Sequence, residues 1–212
     1  MAMTYQTLKT QVEETLARGS DTVFTSLIDD FIQQAQVVIA RDNKFLGFLV
    51  VLNDSFIAGN QGVVQKPDRH RETFSFGFGS GTTNDTWTML KLRTYPYIRR
   101  YWKDPTTTGV PIYYADYDDT NWLVGPTPDS TYPFEAQVYL TPQELTVTYN
   151  ENWLTKYAPD MILHQTLLQA APYLKNDERI QVWQTYYQSA RESQTKQYSR
   201  TIVDRSQMVE GA

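Results

Sequence analysis

The side chains able to do chemistry are few, and their spacing does not organise them into a catalytic motif. The chain has two histidines and no cysteine. Disulfides, thiolate zinc sites and cysteine nucleophiles are therefore excluded by inventory. His70 and His164 lie far apart in sequence, and neither has a nucleophile at a recognised motif spacing. His164 falls one helical turn from Met161 and Leu168, where a hydrogen-bonded core or interface histidine is expected rather than a general base. His70 sits in "KPDRHRE", a charged loop or strand start. "DYDDTNW" offers Asp116, Asp118, Asp119 and Asn121, oxygen ligands whose alternation suits a hard cation. It lacks the glycine at the sixth position and the later bidentate glutamate of a calcium loop, so it reads as a solvated hairpin turn. "GFGSG" would need a helix opening behind it to cradle phosphate; flanked by aromatic strands, it reads as a loop tip. Asp29 and Asp30 belong to the polar side of a helix. No metal and no cofactor is expected.

Docking chemistry is better represented. "YIRRYWKD" interleaves Arg99, Arg100 and Lys103 with aromatic rings, a pattern that suits nucleic acid or an acidic protein surface. The net charge of −5 argues against a general nucleic-acid binder, whose affinity comes mostly from neutralising phosphates. Aromatic residues make up 14%, with 15 tyrosines and 5 tryptophans, which serve interfaces and cores equally well.

The elements that must position these groups change character twice along the chain. Leu8, Val12 and Leu16 recur every four residues between a capping Thr4 and a stop at Gly19, and this predicts a short helix over 4–18. Phe24, Leu27, Ile28, Phe31, Ile32, Ala35, Val38 and Ile39 predict a second helix, antiparallel to the first and running to about Arg41. From about Phe48 the period becomes two. Phe74, Phe76 and Phe78 alternate, break at a glycine-rich turn and resume with Trp87 and Met89, a hairpin with one aromatic face. "YPYIRRYW" predicts one or two helical turns carrying Ile98 and Trp102, and residues 109–140 add two or three more short strands. Helix then returns. Pro159 and Asp160 open one that is apolar over most of its circumference and central; Pro172 closes or kinks it. Asn176, Asp177 and Glu178 restart a last helix, with Ile180, Trp183, Tyr187 and Ala190 at spacings of three and four, to about residue 200.

The expected fold is thus α+β. A helical bundle of two N-terminal and two C-terminal helices (1–44 and 149–200) carries an inserted small antiparallel β domain (45–148) and ends in an extended tail over 201–212. "MAMTYQTLKT" has no basic start followed by an apolar core, and no apolar run approaches the roughly 20 residues of a membrane span. A soluble protein used without secretion, and no membrane partner, is the expectation.

"GVPIYYA", "LVGPTPDSTYPFEAQVYL" and "NWLTKYAPDMILHQTLLQAAPYLKNDERIQVWQTYY" occur in that order, and together they resemble the head-to-tail adaptor proteins of tailed bacteriophages. The likeness is strong over 107–190 and looser over the N-terminal helical pair; the stretch 45–106 departs from the pattern. The resemblance implies a non-enzymatic virion protein of the neck, assembled in the host cytoplasm as a homo-oligomeric ring of twelve beneath the portal protein. It further implies a downstream neck or tail protein as partner, and DNA passing through the lumen without specific binding. The C-terminal segment would reach the portal, through Tyr198, Arg200, Ile202, Val203, Arg205 and Met208. Neighbouring subunits would meet at Trp183, Tyr187, Phe76 and Phe78. A virion-associated glycan-binding module and a cell-wall hydrolase are the competing readings.

Overall fold

The computed structural model describes residues 3–59, 62–79, 86–174 and 178–210, with backbone alone for 198–210. It is mixed α+β, with six helices and ten strands among the described residues. By contacts the chain divides into two compact units, Met1–Phe48 with Thr141–Ala212, and Leu49–Leu140. The division falls at 48 and 141 rather than at the expected 45 and 148, because the flanking residues pack with helices. Phe45 and Phe48 lie against Trp153, with ring centroids 5.6 and 5.3 Å away. Gly47 permits this approach: a Cβ there would stand 2.2 Å from the indole nitrogen.

In the helical unit, α1 (Tyr5–Leu16) begins at Thr4, whose side chain accepts from Thr7 N–H in a reciprocal capping box. It ends at Ala17 in the left-handed conformation (φ 53°), two residues before the expected glycine stop. Helix α2 (Thr22–Asp42) is capped by Asp21 and buries Phe24, Ile28, Ile32, Ala35 and Ile39 on one stripe. A short helix, α4 (Trp153–Tyr157), was not anticipated; Asn152 caps it through Leu154 and Thr155 N–H in a second capping box. Helix α5 (Pro159–Leu174) is central, packing against α1, α2, α4 and the last helix, α6 (Ile180–Glu210). Pro172 lies inside its final turn, and the helix ends two residues later.

Helix α6 corrects the largest expectation. No extended tail begins near 200; helical backbone continues to Glu210, 31 residues in all and about 46 Å long at 1.5 Å per residue. Loss of the apolar period is not loss of helix here. This stretch has no glycine or proline before Gly211, and Arg205, Gln207, Met208 and Glu210 are residues for which the helix is inherently acceptable. Asn176 and Asp177, expected to restart the helix, lie outside the described residues.

The β unit is a two-layer sandwich. One sheet has the order β1 (Leu49–Phe56), β10 (Tyr132–Leu140), β3 (His70–Phe78), β4 (Thr88–Met89), all antiparallel. The other runs β2 (Val63–Gln65), β8 (Asn121–Gly125), β7 (Tyr113–Asp116), β5 (Lys91–Leu92). The unit is not wholly antiparallel: β5 pairs parallel with β7, and β6 (Thr108–Gly109) parallel with β9 (Thr127–Pro128). Parallel pairing needs a crossover, and between β5 and β7 helix α3 (Tyr95–Tyr101) supplies part of it. Between the sheets lie Phe56, Phe76, Phe134, Tyr114, Trp122 and Val124. Phe76 has ring neighbours at 4.9 Å (Trp122) and 5.1 Å (Phe134).

One parity expectation fails. Phe74, Phe76 and Phe78 were to share a face, yet Phe74 is 63% exposed while the other two are buried. The register slips between Gln137/Ser75 and Val138/Thr73, so Phe74 is the unpaired residue of a bulge. Thr73 takes the inward place, where its Oγ1 accepts the Trp122 indole N–H at 2.9 Å.

Candidate functional site

The histidines and the aspartate cluster make structural contacts. His164 Nδ1 lies 2.7 Å from the Asp160 carbonyl, and its ring lies 5.2 Å from that of Tyr186. His70 opens β3, with Nε2 3.0 Å from Thr73 Oγ1 and its ring edge-on to Trp122. Burial, and after it the neighbouring Lys66 charge, pull the His70 pKa below its ordinary value. Asp118 closes the β7–β8 turn, accepting from Thr120 N–H and Oγ1 and from Asn121 Nδ2. The Asn121 bond foremost holds its carboxyl below the usual carboxylate value. The buried Lys66 ammonium bridges this turn, 2.8 Å from Asp116 Oδ1 and 2.9 Å from the Asp118 carbonyl. The aspartates are thus a turn and its clasp. No group of three or more metal-ligating side chains occurs among the described residues. Nor is any helix there long and apolar enough to cross a membrane. Of the glycine-rich tip, residues 80–85 lie outside the described residues.

What remains is exposed surface, in each unit separately. In the helical unit α6 carries part of it. Its first half turns a narrow stripe inward, Trp183, Tyr187, Ala190 and the half-buried Gln194, at spacings of four, three and four. Polar clasps fasten it. Arg191 Nε donates to Asn43 Oδ1 at 2.8 Å, and Gln194 Nε2 to the Tyr157 carbonyl at 2.8 Å. The Arg179 guanidinium, just before the helix, lies over the Trp183 ring and donates to the Thr15 carbonyl. Beyond residue 197 the helix continues through the six positions expected to meet a portal, 198, 200, 202, 203, 205 and 208, whose side chains lie outside the described residues. An aromatic groove of about 390 Å³ opens beside α6, lined by Phe45, Leu46, Trp153, Tyr157, Gln194 and Gln197.

The residues expected at subunit contacts are placed otherwise. Trp183 (5% exposed), Tyr187 (6%), Phe76 (1%) and Phe78 (4%) are all buried within the chain itself. Aromatic type suits interface and core alike, and here the intramolecular core holds all four. On α6 Val182 and Tyr186 are exposed, as are Phe74, Trp87 and Met89 of the hairpin.

In the β unit cations and aromatic rings surround α3. The Arg93 guanidinium lies between the rings of Tyr97 and Tyr113, 5.5 Å from each centroid, and Arg99 lies over Tyr95 at 5.6 Å. Stacking fixes these cations without neutralising them. Of the cations in "YIRRYWKD", Arg99 is held by stacking while Arg100 and Lys103 are exposed, and the structure adds Arg93 with the Tyr113 ring. Ile98 anchors α3 from beneath, buried with Ala115 and Leu123.

No curated protein matches the chain. The family profile described as SU10 adaptor protein matches residues 3–209, across both units and along α6. The chain belongs to the SU10 adaptor protein family, a phage head–tail adaptor family, and is thereby a structural component of a virion.

Proposed function

We propose that the chain forms a homo-oligomeric ring, of twelve copies, in the neck of the virion beneath the portal, joining the capsid to the tail and continuing the DNA channel. The observation that carries this reading is α6. A 31-residue helix fastened to its own body by Trp183, Tyr187, Ala190, Arg191 and Gln194, with helical backbone continuing to Glu210, supplies both a rigid flank and an arm for an axial partner. Residues 198–210 are the portal-binding arm, with Tyr198, Arg200, Ile202, Val203, Arg205 and Met208 its contacts; a downstream neck or tail protein takes the opposite side. The net charge of −5 suits a channel through which DNA slides without specific binding.

The copy number of the chain relative to the portal protein in purified virions tests the ring, by quantitative mass spectrometry. A ratio near one is expected, and absence from virions overturns the reading. Deleting 201–212 removes about three helical turns and should abolish docking to the portal with the fold intact by circular dichroism. Full docking of that truncation would move the contact elsewhere. Glycan binding or peptidoglycan cleavage by the purified chain would replace this reading with one of its rivals.

A further inference from the structure

We propose that the inserted sandwich is itself an association module, in which the α3 edge of one copy docks on the β1 edge of a second copy of this chain. The inference rests on the ring reading and gives that ring a lateral contact in the β unit.

The topology places two different surfaces at opposite edges. Strands β4 and β5 are separated only by Leu90, so they bring the two sheets together at one edge, and there α3 follows directly. Strands β1 and β2 end the same two sheets at the far edge. A closed ring needs this arrangement, because each subunit must present two unlike faces to its two neighbours.

Residues 91–103 carry five cations, Lys91, Arg93, Arg99, Arg100 and Lys103, and no acid. Among the described residues none of the five is in an ion pair. Around them Leu92, Tyr95, Tyr101, Val110 and Ile112 are exposed, so the edge joins an apolar floor to fixed positive charge. The whole chain carries −5, so the residues outside this segment carry −10 between them, and a second copy is a complementary partner. Phosphate is a poorer one. Asp116 lines the same groove as Arg93, Tyr95 and Tyr97, and Asp118 and Asp119 follow in the adjoining turn.

The β1 edge lacks what it would need to stand alone. Eight residues long, β1 pairs among the described residues only with β10, so its other row of backbone groups meets no described strand. Free edges are normally blunted by lysine, proline or a bulge. Here the register shifts fall between β10 and β3 instead, and between 49 and 59 the only charged residue is Asp54. Val50, Val51 and Ile57 are exposed along it. An edge with apolar side chains, a single carboxylate and open backbone acceptors fits an apolar, cationic partner surface.

The test is a charge swap in phage, read as copies of the chain per portal in purified virions, with each full-length variant checked for folding by circular dichroism. Arg100→Glu/Lys103→Glu on one edge and Val51→Lys/Asp54→Lys on the other should each lower the copy number at least about tenfold, since like charges then face each other. Combined in one chain they should recover most of the wild-type value. Folded one-sided variants that fill virions at the wild-type ratio overturn the proposal and leave the ring reading standing. If the wild-type chain is itself missing from virions, the ring reading fails, and sedimentation of the purified full-length chain decides the contact. An oligomer dispersed by Arg100→Glu/Lys103→Glu supports it, and a monomer at every concentration overturns it. A duplex oligonucleotide bound by the wild-type chain and released by Arg100→Glu/Lys103→Glu would assign the α3 edge to phosphates and overturn it as well.

Discussion

Helices α2 and α5 of the helical unit pack together, and Phe24, Ile28, Ile32, Met161 and Ile162 are fully buried there. Between the two sheets of the β unit, burial of Phe56, Phe76, Trp122 and Phe134 is equally complete, yet outside them Val51, Ile57, Phe74, Met89 and Leu92 stay in solvent. The contrast follows from geometry. A helix satisfies its own backbone and has one apolar stripe to cover, so a few helices close on themselves. A sheet has two faces and two edges, and a second sheet covers only one face. The β unit thus keeps an exposed outer face and edges, whereas the helical unit keeps scattered exposed residues such as Val23, Val37, Val147 and Tyr186 and the reach of α6.

Substitutions break or sharpen this contrast, beginning with the sandwich core. Trp122→Ala removes a fully buried ring and the donor to Thr73, and should cost about 3–5 kcal/mol in urea unfolding followed by near-ultraviolet circular dichroism. A loss below about 1 kcal/mol would mean that the two sheets do not share one core.

In the helical unit the most exposed dependency is a single cap. Asn152 holds the start of α4 and also donates to Gln36 Oε1 at 2.6 Å and to the Gln143 carbonyl at 3.0 Å. Asn152→Ala should cost about 2 kcal/mol, a lost cap together with buried acceptors left unpaired, measured as the urea midpoint at 222 nm. An unchanged midpoint would show that α4 is held by Trp153 packing alone.

The sandwich should also respond to pH through His70. Its folded pKa lies below the ordinary 6.5, so the unfolded chain binds the proton first. The stabilisation is complete above 6.5 and declines as pH falls through 6.5 toward the lower folded value. His70→Gln should flatten that part of the stability curve; an identical slope in the variant would place the titrating group elsewhere. The smallest effect belongs to the surface of the helical unit, where Lys9 Nζ lies 2.6 Å from Asp29 Oδ1. Lys9→Ala should change stability by less than about 1 kcal/mol at moderate salt, and a larger loss would mean that Asp29 and the Tyr5 hydroxyl depend on it.

Much of the helical unit was legible because amphipathic period and caps are local. Thr4, Asp21 and Pro159 stand where the helices begin. The N-x-x-T pattern of Asn152 and Thr155 marked α4 as well, and it was the signal available for the helix the apolar period did not reveal. Strand β1 carried a weaker one, the β-branched run in "LVVLNDSF". Around α3, Arg99, Arg100 and Lys103 were legible as a basic, aromatic run. Arg93 was not, because its importance comes from Tyr113, twenty residues away in sequence, closing on its guanidinium.

By itself the sequence determined the alternation of helix, strand and helix, the absence of thiol chemistry, the acidic balance and the adaptor resemblance, all of which depend on residue type and short-range order. The tertiary structure alone decided which aromatic rings are core and which are surface. Phe74 and Phe76 are two residues apart and chemically identical, yet a bulge set by pairing with β10 turns one to solvent and the other against Trp122. Trp183 and Tyr187 are likewise claimed by the body against which α6 packs. Burial depends on what lies opposite a side chain, and that neighbour is chosen by contacts distant in sequence.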